Sequence, residues 1–368
     1  MSSVQINGNT YNIIDKIGEG SFGKVYKTLK VGEYQYSVIK IIKVTNFNQL
    51  RYTENEIATL DWLTQKLSEK SPFPRLLEYQ KIGSTYHIVM EYLEGPNLIE
   101  YLATGRLDEA KIKTIFRQLL LAVNILHSLE IVHRDLKLQN IMLIQNTTEE
   151  EFSTNVTFRV IIIDFGLACN RSPHFLFKYI EDRSIIKVSQ TCTEYTKLGS
   201  IYTMAPELFL HDKLSFDELK RVDIWALGVI LYVMVYNQGF GYRFDTPELV
   251  DKNLTIIHNK ITHSRTIFSP ILTEILQQQR PDAMQLITQY ATFLNIGTLP
   301  NIGQTTCALM SFGSNETIPL IQHQYQISLR QSMNSSNHSI KEETLTKTDS
   351  VLKHKRDPPH LPIRLPSI

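Results

Sequence analysis

An excess of charge of either sign is missing from this sequence. Its 38 lysines and arginines are balanced by 37 aspartates and glutamates, leaving a formal net charge of +1 over 368 residues. So weak a field gives no electrostatic footprint for nucleic acid or for an acidic membrane surface. Cysteine is scarce too. Cys169, Cys192 and Cys307 are odd in number and far apart, which suggests neither a disulfide framework nor a zinc site and fits a reducing interior. No apolar run is long enough to cross a bilayer, and the longest, "IWALGVILYVMV" (224–235), reads as a buried helix. The start "MSSVQINGNTYNII" lacks the basic residues and apolar stretch of a secretory signal. The expectation is a cytoplasmic or nuclear protein with no membrane span and no nucleic-acid partner.

What is present is enough material for a core. Hydrophobic residues make up 42% and charged residues 20%, as in globular proteins, and the length suits one large or two ordinary domains. Residues 11–294 alternate apolar segments with turn signals, after a short N-terminal extension over 1–10. From 295 to 368 the chain turns polar and is expected to be disordered. Within that tail "KHKR" could serve as a nuclear signal and "PPHLPIRLP" as a polyproline ligand, although a solvated tail is the simpler reading of both. Early in the domain, "YNIIDKIGEG", "KVYKTL", "YSVIKIIK" and "TYHIVMEYL" read as strands. One helix interrupts them, "LRYTENEIATLDWLTQKL", with Ile57, Leu60, Leu63 and Leu67 at helical spacing. The remainder is mainly helical: "AKIKTIFRQLLLAVNILHSL" is amphipathic and "DIWALGVILYVMV" is apolar all round.

Two stretches carry chemistry. In "IVHRDLKLQNIMLI" (131–144), His133, Arg134, Asp135, Lys137, Gln139 and Asn140 lie between flanks that read as short buried strands, so the polar middle is a loop at the edge of a core. Taken alone it could be an ordinary surface turn. In "IGEGSFGKV" (17–25), Gly18, Gly20 and Gly23 sit between two strand-like runs, where glycines let backbone amides approach phosphates. A dinucleotide fold uses similar spacing but needs a helix directly afterwards, and "KVYKTL" reads as a strand. Further on come "SVIK" with Lys40, Glu56 on the helix, "DFG" (164–166) and "APE" (205–207).

All these fragments in this order, together with "HRDLKLQN", resemble the eukaryotic protein kinase family, serine/threonine branch. The resemblance covers 11–294 and implies an α+β bilobal fold: a sheet-rich N-lobe with one main helix (11–92) and a larger helical C-lobe (93–294). It implies ATP and Mg2+ as cofactors, protein substrates, and an upstream activating kinase as partner. Ile17, Gly18, Glu19, Gly20, Ser21, Phe22, Gly23, Lys24 and Val25 would cover the nucleotide. Lys40 would hold its α- and β-phosphates and pair with Glu56; Glu54 competes for that role, but Glu56 places Leu60 four residues on, facing the core. Met90 would guard the inner pocket, Glu91 and Leu93 would belong to the hinge that binds adenine, and Val25 and Met142 would sandwich the ring. Asp135 would accept the proton of the substrate hydroxyl, Asn140 and Asp164 would hold magnesium, and Lys137 would neutralise the moving phosphate. Structurally, Glu207 would pair with Arg280 and Asp223 would anchor the catalytic loop. Lys137 and Ser200 match the serine/threonine branch, and Leu167 leans toward serine as acceptor.

Some positions depart from the family pattern. Val38 stands where relatives usually carry alanine, and its extra methyls would press on adenine at a cost of about 1–3 kcal/mol if nothing relaxes. The segment "NTTEEEFSTN" reads as the tip of an extended hairpin, and the long stretch from Asp164 to Glu207 carries Ser189, Thr191, Thr193, Tyr195 and Thr196. Thr196, three residues before Gly199, is the expected phosphorylation site and Arg134 its partner. Asn97, Gln139 and Val233 occupy the places where arginine-directed relatives carry acids. One rival is a pseudokinase scaffold, which would have lost Lys40, Asp135 or Asp164. The other is a small-molecule kinase, which would lack "GSIYTMAPE". Neither feature is missing here.

Overall fold

The computed structural model describes residues 2–20, 23–68, 71–145, 158–171, 198–242, 244 and 246–296. The expected hairpin tip, the hydroxyl-rich stretch 189–196 and the tail from 297 onward lie outside them.

The first part of the chain is one antiparallel sheet in the order β1-β2-β3-β4-β6-β5. Its strands are β1 (Ser3–Ile6), β2 (Asn9–Gly20), β3 (Gly23–Lys30), β4 (Tyr36–Lys43), β5 (Leu76–Ile82) and β6 (Thr85–Glu91). Residues expected as an extension thus supply an edge strand. The sheet curls until that edge meets the opposite one: Asn7 Nδ2 donates to Glu78 Oε2 (3.0 Å) and the Tyr79 carbonyl (3.1 Å), and Asn9 Nδ2 donates to Glu78 Oε1 (2.9 Å). The Tyr11 hydroxyl also donates to Glu78. Partial burial would raise the Glu78 carboxyl, but these donors hold it below the usual carboxylate range. Ile6, Tyr11, Ile39 and Val89 fill the inside of the curl as a small core of their own. Two strands were not expected, β1 and β5. They are the two edges of the sheet, and contacts between the ends of the curl join them.

Helix α1 (Phe47–Lys66) starts at Asn46, whose side chain accepts from the Gln49 amide, and buries Ile57, Leu60 and Leu63. Beyond β6 follow α2 (Leu98–Ala103), α3 (Glu109–Ser128), β7 (Ile131–Val132), a 3-10 turn over Leu138–Asn140, β8 (Ile141–Gln145), β9 (Phe158–Ile162) and β10 (Cys169–Asn170). The arms of the expected hairpin are β8 and β9, paired from Ile141↔Ile162 to Gln145↔Phe158. The pairing of β10 with β7 brings the segment after "DFG" beside the entry to the loop that opens at His133. Cys169 on β10 is buried and disulfide-bonded, which the odd cysteine count did not suggest.

The chain then forms α4 (Glu207–Leu210), α5 (Phe216–Tyr236), α6 (Pro247–Ser264), α7 (Ser269–Ile275) and α8 (Ala283–Gln289). Helix α5 begins seven residues before its apolar stretch, because Ser215 and Glu218 close a capping box. It runs through the main core and ends at Asn237 in the left-handed conformation (φ 49°). Ile296 still packs on this core, just beyond the expected domain limit. Among the described residues, no helix is long and apolar enough to cross a membrane. The architecture is a curled sheet-rich lobe followed by a helical one.

Candidate active site

Alternation along β4 decides what faces the cleft. Ile39 points into the curl with Val89, so Val38 and Lys40 lie on the other face. Cross-strand register puts Val25 opposite Lys40 and Met90 opposite Val38, and directly opposed residues share a face. Lys40 is buried, with Nζ 2.7 Å from both Glu56 oxygens and 3.8 Å from Asp164 Oδ1. Burial alone would lower its pKa, but Glu56 and Asp164 outweigh it and raise it above the usual lysine value. Two residues earlier on α1, Glu54 points elsewhere and accepts from the Tyr86 hydroxyl at 2.7 Å. The competition between the two glutamates is thus settled by helical phase.

The loop from His133 to Asn140 hangs from Asp223 in the first half of α5. Asp223 Oδ2 accepts from the His133 amide (2.8 Å), Oδ1 accepts from the Arg134 amide (2.9 Å), and His127 Nε2 lies 3.0 Å from Oδ2. Arg134 adopts a positive φ of 64°, and its Nε donates to the Leu167 carbonyl at 2.7 Å. Burial and the like charge of Arg51, opposed by Asp223, push its pKa down to about 10, which leaves it cationic at neutral pH. Asp135 holds a web of donors: Lys137 Nζ at 2.7 Å on Oδ2 and Ser200 Oγ at 2.8 Å on Oδ1. Asn140 Nδ2 donates to the Asp135 carbonyl at 2.9 Å, which turns its Oδ1 away as an oxygen donor. Gly199 must be glycine, since at its φ of 116° a Cβ would lie 2.5 Å from the Arg134 carbonyl.

The residue set fits the nucleotide and metal that the sequence implies. One carboxylate (Asp164) and one amide oxygen (Asn140) suit a hard cation that keeps water and phosphate oxygens as its other ligands. The Ile163 amide donates to the Asn140 carbonyl at 2.9 Å and so keeps the two residues adjacent. At the end of β6, Glu91 holds Arg75 through its amide (3.1 Å) and its carboxylate (3.0 Å). Met142 on β8 is half-buried and bridges to Asn97. Gly20 and Gly23 face each other across β2 and β3. Gly23 has a reason independent of any ligand: a Cβ there would lie 2.4 Å from the Ile41 carbonyl.

A family model for the protein kinase domain matches residues 11–300. The chain belongs to the protein kinase family. The kinase domain is 29% identical over 282 residues to a probable serine/threonine-protein kinase KIN1 homolog of Enterocytozoon bieneusi, covering 76% of this chain and 38% of that one. It is 30% identical over 261 residues to the serine/threonine-protein kinase ppk25 of Schizosaccharomyces pombe (70% and 52%). With a hormonally up-regulated neu tumor-associated kinase homolog of Xenopus tropicalis it shares 28% over 285 residues (76% and 37%). The matched region thus spans between about a third and a half of these relatives' length.

Within the kinase domain, Lys40, Glu56, Val25, Val38, Met90 and Asp164 come together on one side of the cleft, and Asp135, Lys137, Asn140 and Ser200 on the other. Ser21, Phe22 and Thr196 lie outside the described residues. Arg280 Nη2 donates to Glu207 Oε2 at 3.1 Å, the ion pair expected from sequence. Sequence reasoning missed Tyr86 as the partner of Glu54. It also missed Asn55, whose amide reaches the backbone beside Phe165; neither carries a motif. Replacing Asp223 by Ala leaves two buried amides without acceptors, at about 1–3 kcal/mol each. The expected result is a fall of about 2–6 kcal/mol in unfolding free energy by denaturant titration. An unchanged denaturation midpoint would contradict the anchor.

Proposed function

We propose that this chain is a serine/threonine protein kinase that transfers the γ-phosphate of ATP to hydroxyls of protein substrates. The observation that carries the reading is Asp135, buried and held by Lys137, Ser200 and Asn140, with Lys40 and Asp164 3.8 Å from each other at the same cleft. Phosphoryl transfer asks a protein mainly for positioning and charge neutralisation. Lys40, fixed by Glu56, holds the α- and β-phosphates. The acceptor oxygen bonds to the γ-phosphorus, its proton passes to Asp135, and the bond from that phosphorus to the ADP oxygen breaks. Lys137 offsets the charge on the phosphoryl group in transit. Bound magnesium, held by Asp164 and Asn140, would neutralise phosphate charge. Ile17, Gly18, Glu19, Gly20, Lys24 and Val25 would close over the nucleotide, with Leu93 and Glu91 binding adenine through their backbone. Val38, buried opposite Met90, would crowd the ring and weaken nucleotide affinity.

Asp135→Asn and Asp164→Asn should each lower turnover by about 10²-fold or more, on the order of 3 kcal/mol in the barrier. Wild-type rates in both variants would assign any activity to another site or a contaminant. Activation is proposed to depend on an upstream kinase that phosphorylates Thr196. A phosphate of roughly −2 charge there would pair with Arg134. Thr196→Ala should lower activity, and Arg134→Ala should abolish the gain from phosphorylation. Mass spectrometry of the active protein decides the point: full activity with no phosphate between Ser189 and Thr196 would refute it. Substrate choice is testable as well. Asn97 is occupied as the N-cap of α2, Gln139 is exposed and Val233 packs on the core, so none offers a carboxylate to arginine. A charged hydrogen bond of that kind is worth about 1.5–3 kcal/mol. A degenerate peptide library should show serine favoured as acceptor and no strong enrichment of arginine two or three residues before it. Strong enrichment at either place would show these three positions to be wrongly assigned.

A further inference from the structure

We propose that Asn55 is a positioning residue that ties helix α1 to the turn following Asp164, so that the two move as one unit. The inference rests on reading the cleft as a phosphotransfer site. Asn55 is buried, and its Nδ2 lies 3.1 Å from the Phe165 carbonyl, 3.2 Å from that of Gly166 and 2.7 Å from that of Ala168. Three acceptors around one atom fix the amide's orientation, because only its nitrogen can face carbonyls. Two hydrogens serve them, one pointed at Ala168 and the other shared between Phe165 and Gly166.

The turn needs such a hold. Asp164 sits at φ 68°, a left-handed conformation that a non-glycine residue keeps only when its surroundings over-determine it. One internal bond, Ala168 amide to Phe165 carbonyl at 3.0 Å, closes the turn from within. The Phe165 ring is buried, 5.7 Å from Phe73 and 5.0 Å from His133 between centroids. From α1, the side chain of Asn55 reaches the turn through hydrogen bonds to three of its carbonyls. Its neighbour Glu56 holds Lys40, which reaches Asp164 itself. Adjacent residues of one helix therefore govern the Asp164 side chain and the backbone behind it. A shift of α1 that breaks the Lys40–Glu56 pair must also release the turn. An amide packed only to satisfy a core needs one acceptor, not three carbonyls of the loop that follows a catalytic carboxylate.

The test compares wild type with Asn55→Asp, isosteric but without a donor, and Asn55→Leu, of similar size and without polar atoms. Thermal melting, steady-state kinetics with Mg-ATP and a peptide, and hydrogen exchange over 164–168 are read together. The expected result is a fall in kcat of roughly tenfold or more with peptide KM within about twofold, and faster exchange at 165–168 in both variants. Exchange as slow as in wild type at 165–168, or an unchanged kcat, in a variant that melts as wild type does would overturn the clamp. If Asn55→Leu melts early, Asn55→Asp carries the comparison. A wild type that transfers no phosphate would defeat the phosphotransfer reading instead, and the exchange data would still decide the clamp.

Discussion

The rest of the structure turns on one buried ion pair, Lys40 with Glu56 at 2.7 Å. Taking two charges out of water costs several kcal/mol per ion unless geometry and further hydrogen bonds offset it. Here both Glu56 oxygens meet the same ammonium, and Asp164 lies 3.8 Å beyond it. The pair joins three pieces that are distant in sequence: a strand of the curled sheet, the helix packed against it and the segment opening with "DFG". A pair so placed is weak as a source of stability and strong as a specifier. It requires α1 to present one phase of its surface to β4, and the same phase sends Glu54 to Tyr86.

The second lobe has a buried anchor of its own, a single carboxylate. Asp223 rises from a helix that is apolar nearly all round, and it spends its oxygens on two backbone amides and a histidine. Those bonds fix the backbone of His133 and Arg134, the latter at positive φ, and so set where Asp135 points. Buried acceptors meeting buried donors leave little freedom to the loop. Gly199 completes the arrangement by letting the segment before "APE" lie directly on the Arg134 carbonyl. Ser200 then reaches Asp135.

Much of this was legible in the sequence because it is local or carried by spacing. Apolar periodicity marks α1 and α3, a continuous apolar run marks α5, and strand-like runs mark β2, β3, β4 and β6. Polar residues between greasy flanks mark the catalytic loop. What was not legible depends on closure in three dimensions. The strand Ser3–Ile6 is only four residues long, and it is held by Ile6 inside the curl and by the contacts of Asn7 with Glu78 and Tyr79. Strand β5 is the far side of that closure. Asn55 looked like any polar residue of a solvated helix face, because its three acceptors lie more than a hundred residues away. The start of α5 at Phe216 was hidden for another reason: its first turn is polar, and only the capping box marks it.

The most direct test of the ion pair as organiser is the turnover of Glu56→Gln beside Glu54→Gln, measured with Mg-ATP and peptide on proteins of matched thermal stability. The amide keeps the size of the carboxylate and removes its charge. The account predicts that Glu56→Gln loses at least about tenfold in kcat while Glu54→Gln stays within about twofold of wild type. Wild-type turnover in Glu56→Gln, or an equal loss in both variants, would contradict it.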